Sequence, residues 1–340
     1  LLGDGIHPSI DAAVGAARSA FVAFAEMGME SRRAVVEAMR AAMLREGERL
    51  AYLAHAETGL GRAEDKVQKN LLVTTRTPGP EDLEPQAVTG DGGMTVTEYA
   101  PYGVIGSITP TTNPTSTIIN NSIAMISAGN AVTFNVHPGA AQVSVENIKL
   151  LNQAIVGAGG PPDLITATPR PTLESAKELM QHPDVRVLLV TGGPAVVGEA
   201  MRTPKKAITA GPGNPPAVVD QTADVNQAGI DIVRGASFDN NIICVDEKTT
   251  IVVDTVADKL VRAMVNAGAY RLKEHELRRL EGVIFNQMGG PNKPGAINPD
   301  WIGKDAGALL AEIGVPVDGD VRLLVAEVPA EHSLVWTEQM

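Results

Sequence analysis

Cys244 is the single cysteine in a chain of 340 residues. It sits in the run Asn240-Asn241-Ile242-Ile243-Cys244-Val245-Asp246-Glu247-Lys248. A lone cysteine makes no intrachain disulfide, so it is either an inert small apolar residue or a nucleophile. The preceding Ser237-Phe238-Asp239-Asn240-Asn241 is polar and turn-forming, unlike a core strand, and this favours the nucleophile. A thiolate attacking a carbonyl needs a donor for the oxyanion that develops. Asn113, in Ile108-Thr109-Pro110-Thr111-Thr112-Asn113-Pro114, follows an apolar strand pattern and offers a side-chain amide. The plainer reading is an Asn-Pro turn that holds only its own backbone. A third group, Thr191-Gly192-Gly193-Pro194, joins a strand pattern to a helix pattern. Glycines there let backbone approach a phosphate, and the helix start offers free N–H groups. This is not G-x-G-x-x-G, and most such turns hold no ligand.

These groups need a scaffold, and the pattern supplies one. Residues 9–57 read as helices, with Ser9 as cap and Val14, Ala17, Phe21, Phe24 and then Val35, Met39, Met43, Leu50, Leu53 at helical spacing. Residues 74–93 form a loop rich in Pro, Gly and acid. Residues 94–100 alternate and read as a half-exposed strand, one arm of a hairpin near 87–100. From Gly103 strands and helices alternate: strands at 104–108, 131–134, 164–166 and 185–190, helices at 115–126, 139–156, 173–181 and 195–201. That rhythm predicts a parallel sheet covered on both faces, with right-handed crossovers. A second α/β block starts near Thr209, with strands at 217–219, 249–253 and 321–328 and helices at 225–234 and 256–269. The stretch 205–213 is the expected linker. The expected domains are therefore residues 1–209 and 210–340.

Composition narrows the function. Hydrophobic residues make up 44% and charged residues 20%, which suits a buried core and argues against disorder. Aromatics are only 3% and the net charge is −12, so nucleic acid and anionic membrane are poor partners. No apolar run reaches the roughly 18 residues of a membrane span, and no secretory signal is visible. One cysteine suits a reducing compartment. The chain starts Leu1-Leu2-Gly3 without Met and stops at Thr337-Glu338-Gln339-Met340, so both ends are expected to be cut. His7, His55, His182, His275 and His332 show no metal-ligand spacing, and no metal is expected. Lys205 and Lys206 could steer a phosphorylated ligand, but a solvated surface pair is the simpler reading.

Together the three groups resemble the aldehyde dehydrogenase superfamily in order and context. The closer resemblance is to the CoA-acylating aldehyde dehydrogenases of propanediol and ethanolamine utilisation. It is carried by Tyr102-Gly103-Val104-Ile105-Gly106, Thr112-Asn113-Pro114-Thr115, Ile118-Ile119-Asn120-Asn121-Ser122, Asn135-Val136-His137-Pro138-Gly139-Ala140, Thr191-Gly192-Gly193-Pro194, Gly213-Asn214-Pro215-Pro216 and Ser237-Phe238-Asp239-Asn240-Asn241. The resemblance implies an α/β fold: a Rossmann-type parallel-sheet NAD-binding domain and an α/β catalytic domain that carries the thiol. It implies Cys244 as nucleophile and the Asn113 amide, with the Cys244 N–H, as oxyanion donors. Cofactor contacts are implied at Thr111, Thr112, His137, Pro138, Gly139, Thr191, Gly192, Gly193, Ala210 and Gly211, and at Glu338 as the holder of the nicotinamide ribose.

Hydrolytic relatives carry a Glu base in a turn that here reads Thr209-Ala210-Gly211-Pro212-Gly213-Asn214. No carboxylate lies within it, so a better nucleophile than water is expected to take the acyl group, and the CoA thiol is one. The resemblance implies NAD, while Ala140, at a position where relatives carry a ribose-gripping Glu, leaves NADP open. It also implies short aldehydes as substrates, a homo-oligomer (dimer or tetramer), a possible microcompartment shell as partner, and a cytoplasmic location inside a bacterial microcompartment. Two other readings remain: a hydrolytic aldehyde dehydrogenase, and a catalytically incompetent microcompartment-associated fragment. Asp246 and Glu247 would raise the thiol pKa, so compensation by backbone donors or burial is expected.

Overall fold

The computed structural model describes residues 2–316 and 319–338. Leu1 and the last two residues of the Thr337-Glu338-Gln339-Met340 run lie outside them. The chain divides into two compact units. The first holds residues 1–58 and 66–211, the second residues 59–65 and 212–340.

The first unit opens with α1 (Ile10–Ala25), α2 (Met29–Thr58) and α3 (Ala63–Arg76), of which the first three residues count with the second unit. Ser9 caps α1 as expected, its hydroxyl accepting from Ala12 N–H at 3.2 Å. A hairpin follows, β1 (Gln86–Gly90) and β2 (Gly93–Thr97), joined by Asp91-Gly92. It departs from the expected half-exposed strand: every residue of both strands is exposed, Val88, Met94 and Val96 included.

The doubly wound core comes next in chain order. It comprises β3 (Val104–Ile108), α4 (Pro114–Ser127), β4 (Ala131–Asn135), α5 (Ala141–Gly157), β5 (Ile165–Ala167), α6 (Leu173–Gln181), β6 (Val185–Thr191), α7 (Pro194–Met201) and β7 (Lys206–Ala210). The strands pair in parallel in the order β5-β4-β3-β6-β7. β3, β4 and β5 are buried at every position, which is why they read as continuous apolar runs and not as alternating ones. Phe24, Met39, Met43, Leu50, Ile118, Ile123, Phe134 and Ile148 fill the space between sheet and helices.

The division between the units, at 211/212, falls inside the expected linker at 205–213, but the stretch is not a loop. Most of it is β7, whose residues alternate exposed and half-buried and pair from Lys206 opposite Val187 to Ala210 opposite Thr191. A short edge strand whose Lys206, Ile208 and Ala210 face outward lacks the buried apolar run that marks the inner strands. Lys205 is not a solvated surface lysine either. It is half-buried, its ammonium donates to the carbonyls of His182 and, at 2.7 Å, Val185, and burial lowers its pKa. Lys206 donates to the Tyr102 hydroxyl at 2.6 Å.

The second unit contains β8 (Pro216–Val219), α8 (Val225–Ala236), β9 (Thr249–Val252), α9 (Asp254–Asn266), β10 (Ala269–Arg271), α10 (Glu274–Ile284), β11 (Phe285–Gln287), β12 (Ala296–Ile297), α11 (Ala306–Glu312), β13 (Leu323–Val325) and α12 (Ser333–Trp336). β8 pairs with β9 and β10 with β13, both in parallel. The late strand is shorter than the sequence suggests, and Ala269 opens β10 instead of closing a helix. Helices α8 and α9 meet at Gly229, where a Cβ would lie 2.5 Å from Ala263 Cβ, so only glycine permits that approach. Among the described residues no helix is long and apolar enough to cross a membrane.

Candidate active site

In the first unit, chain connections pass from β3 to β4 and β5 on one side, and to β6 and β7 on the other. The carboxyl ends of β3 and β6 therefore flank the point where the winding reverses, the place where doubly wound sheets take ligands. Because all five strands are parallel, the segments that follow them share one edge. Thr109–Asn113 follows β3, His137–Gly139 follows β4, Thr168 follows β5, Gly192 and Gly193 follow β6, and Ala210 and Gly211 close β7.

Three features of this edge suit a dinucleotide. The hydroxyls of Thr109 and Thr168 are buried with no hydrogen-bond partner among the described residues. A Cβ on Gly139 would fall 3.3 Å from His137 Nδ1 and 3.6 Å from Thr111 Oγ1, so the absent side chain leaves a cradle between the β3 and β4 loops. Gly193 caps α7 with no side-chain bond and nothing within 4 Å of a Cβ, so its backbone is open to a ligand. The Gly192 N–H donates to Ala210 O at 3.1 Å, so at this position it is the missing side chain and not the N–H that a ligand could use. His137 serves its turn, accepting the Gly139 N–H on Nδ1 at 3.1 Å, which leaves Nε2 as the protonated nitrogen of the neutral ring. Thr111, Thr112, His137, Pro138, Gly139, Thr191 and Gly193 are the residues here that could hold NAD.

Asn113 precedes α4, and its side chain makes no capping bond to that helix. The amide is therefore not spent on capping that helix. Asn113 Oδ1 accepts from Lys69 Nζ at 2.7 Å, and Asn113 Nδ2 donates to Thr112 Oγ1 at 3.0 Å. An amide nitrogen has two hydrogens, so one remains for another acceptor. Lys69 and its neighbour Asn70 are buried on α3. Asn70 Oδ1 accepts from Thr115 Oγ1 at 2.9 Å, which ties the first turn of α4 to the same helix. Sequence reasoning missed both. No hydrophobic period marks them, because the buried side of α3 is polar, with Lys66, Lys69, Asn70 and Thr74 inside and Leu71 and Leu72 exposed.

In the second unit, Cys244 lies after a strained turn. Asp239, Asn240 and Asn241 all have left-handed backbone, at φ of 49°, 55° and 61°. Asn and Asp tolerate that region best among residues with a side chain. A network holds it. Arg62 N–H donates to Asp239 Oδ1 at 2.6 Å and Arg62 Nε to Asn240 Oδ1 at 2.8 Å. Asp239 N–H donates to Asp65 Oδ2 at 2.9 Å, and Asn240 Nδ2 to Gly303 O at 3.0 Å. Three consecutive left-handed residues cost energy that this network supplies, and such strain collects at functional sites. Gly61, itself at φ 66°, has no room for a side chain: a Cβ would stand 2.0 Å from Asp239 Oδ1. Gly61→Ala is expected to cost about 2 kcal/mol or more, and to slow alkylation of Cys244. A thermal melt and an iodoacetamide time course check this, and unchanged curves would show that the turn does not depend on the close approach.

The Cys244 thiol is half-buried, and burial is the main cause that raises its pKa. The Glu338 carboxylate adds to the rise and Asp246 adds less, while the Cys244 N–H and the Lys248 ammonium pull it down. The expected compensation is thus found in a backbone donor and in Lys248, and burial acts against it. Lys248 is itself buried, donates to Asn241 O and, at 2.8 Å, to Asn241 Oδ1, and is brought down to about 8, chiefly by burial. Glu247 lies over α8, where a Cβ on Gly235 would meet its Oε2 at 2.1 Å.

Lys248 carries a testable sign. Its unfolded value is 10.5 and its folded value about 8. Between them the unfolded chain binds the extra proton, so this group's contribution to stability rises with pH from about 8 to 10.5. Below 8 the full cost of the buried charge is present. Lys248→Met is expected to remove that rise, seen as the difference between the two proteins' denaturant midpoints across the window. Parallel pH profiles would contradict it.

Glu338 Oε1 accepts from Gly213 N–H at 3.2 Å. The Thr209–Asn214 run thus contains no carboxylate of its own, yet the fold brings one to it from 125 residues away. Among the described residues no group of three or more His, Cys, Asp or Glu is placed to hold a metal ion.

The likeness to known proteins is specific. Residues 4–275 match the model of the aldehyde dehydrogenase family. The acetylating acetaldehyde dehydrogenase EutE of Salmonella typhimurium is 47% identical over 337 residues, 99% of this chain and 72% of that protein. The crystal structure of Rhodopseudomonas palustris propionaldehyde dehydrogenase, with bound CoA and an acylated cysteine, superposes with a TM-score of 0.94 at 43% identity, covering 100% of this chain and 76% of that one. A propionaldehyde dehydrogenase from the Clostridium phytofermentans fucose utilisation bacterial microcompartment gives a TM-score of 0.93 at 38% identity, covering 99% and 76%.

Proposed function

The chain belongs to the aldehyde dehydrogenase family and to its CoA-acylating branch, and from that premise we propose that it converts a short-chain aldehyde, propionaldehyde or acetaldehyde, and CoA into acyl-CoA with NAD. The observation that carries this reading is the lone thiol of Cys244, set after a strained turn that a hydrogen-bond network braces.

In this reading Cys244 as thiolate adds to the aldehyde carbonyl. The carbonyl π-pair moves onto oxygen, and the Asn113 amide and Cys244 N–H receive the oxyanion. NAD, when bound, supplies the hydride acceptor. Loss of hydride leaves an acyl thioester on Cys244. The CoA thiol, deprotonated, then attacks that carbonyl carbon, and the Cys244 sulfur leaves as thiolate. One thioester replaces another, so the exchange is near thermoneutral and the overall conversion runs in both directions. Along the sheet edge, Thr111, Thr112, His137, Pro138, Gly139, Thr191 and Gly193 bind the dinucleotide, and Glu338 takes the nicotinamide ribose. The Gly192 N–H and the Ala210 carbonyl support that edge through their own bond.

Propionaldehyde and acetaldehyde are both substrates named for the chain's relatives, and the branch's association with microcompartments supports a cytoplasmic location inside such a shell. A homo-oligomer, dimer or tetramer, is supported by the β1–β2 hairpin, which exposes Val88, Met94 and Val96 on an unpaired two-stranded sheet.

A hydrolytic reaction is the second reading, favoured by one observation: the Glu338 carboxylate at the Gly213 turn, where it could serve as base for water. NADH formation from propionaldehyde and NAD, with and without CoA, decides between them. Steady turnover only with CoA, and a burst near one NADH per chain without it, is expected. Equal steady rates in both would replace CoA with water as the acceptor.

A further inference from the structure

We propose that Lys69 is a positioning residue that fixes the Asn113 amide in its oxyanion-binding orientation; this rests on the acyl-transfer reading above. A primary amide can turn over and exchange its oxygen for its nitrogen, and only one of the two faces is useful to an oxyanion. Lys69 Nζ, 2.7 Å from Asn113 Oδ1, decides which. An ammonium has donors and no acceptor, so the turned amide would set NH₂ against NH₃⁺. Thr112 Oγ1 takes one amide hydrogen at 3.0 Å, which leaves the second for an oxyanion. A charge-assisted bond to the amide oxygen also draws electron density toward it, which makes the remaining N–H a better donor. The site is dry enough for this to count, since Lys69 is 6% exposed. Asn113 spends nothing on capping α4, and Pro114 starts that helix without an N–H to satisfy. Asn70 anchors the same stretch through Thr115, so the lysine is held on a helix already tied to α4.

A merely structural lysine would be indifferent to the amide, and a double-mutant cycle separates the two roles. The readout is the single-turnover NADH burst from propionaldehyde and NAD without CoA, alongside NAD binding and Tm. Lys69→Met is expected to slow the burst about ten- to a hundredfold, the range for one hydrogen bond to a charged group, with little change in the aldehyde KM or in NAD affinity. Lys69→Arg is expected to recover part of the loss. Lys69→Met in an Asn113→Ala background is expected to slow the burst no further. A Lys69→Met burst as fast as the parent's, or a second loss of equal size in the Asn113→Ala background, overturns the proposal. Should Lys69→Met melt early, Lys69→Gln tests the same point, since a neutral donor keeps the bond but not the charge and is expected to fall between Arg and Met. A parent protein with no burst and no CoA-dependent turnover overturns the acyl-transfer reading itself, and this inference with it.

Discussion

Replacing Cys244 with alanine is expected to abolish NADH formation from propionaldehyde, NAD and CoA, by roughly 10⁴-fold or more, the scale on which loss of a catalytic nucleophile is felt. NAD binding is expected to persist, because all but Glu338 of the residues that would hold the dinucleotide belong to the β3, β4 and β6 ends of the first unit, and Cys244 is not among them. The size of the effect follows from chemistry. No other cysteine exists in the chain, so no second thiol can take over. Water or a hydroxyl is a far weaker nucleophile toward a carbonyl at neutral pH, and an alanine has none. The variant should also fail to form a burst without CoA and should take up no iodoacetamide. The test is a rapid-mixing burst measured beside a nucleotide-binding titration. Turnover surviving in Cys244→Ala would remove the thiol from the mechanism. Lost NAD binding would mean that the substitution had disturbed the fold, and the rate would then say nothing about the nucleophile.

Asn113→Ala is expected to slow acylation by roughly 10²–10³-fold, as loss of one oxyanion donor does. The oxyanion forms only after attack, so the burst rate should fall while the aldehyde KM changes little. The competing expectation is structural. If Asn113 served only its turn, the variant would lose stability and keep its rate. The structure weighs against that, since the side chain makes no bond to α4 and is held by Lys69 and Thr112. Burst rate and Tm measured on one preparation distinguish the two: a normal burst with a lowered Tm would return Asn113 to its turn.

Much of the fold was legible in the residues. Apolar runs at 104–108 and 131–134 name buried parallel strands because their neighbours cover both faces, and the helix at 173–181 matches α6. β7 escaped because an edge strand of Lys206-Ala207-Ile208-Thr209-Ala210 is half solvated and short, so its alternation passes for loop. The second arm of the hairpin was legible from the alternation after Gly93, but β1 fell within the expected loop at 74–93 and the full exposure of both strands was not foreseen, because alternation presumes a face to bury.

The site divides in the same way. The reactive groups are legible in residue type and order: one thiol after an Asp-Asn-Asn turn, one amide before a helix-starting proline, and glycines after a strand. Those are local facts, set by residue type and by what a few neighbouring backbone torsions permit. What surrounds them is set by the packed fold. Lys69 meets Asn113 across 44 positions and Glu338 meets Gly213 across 125, while Lys248 folds its buried ammonium back onto Asn241. A hydrophobic period says which face of a helix is buried, yet it cannot say what a lysine will touch once buried there. That depends on which chain segments the parallel sheet and its crossovers bring to the same place. A buried charge is stable only where such a partner arrives.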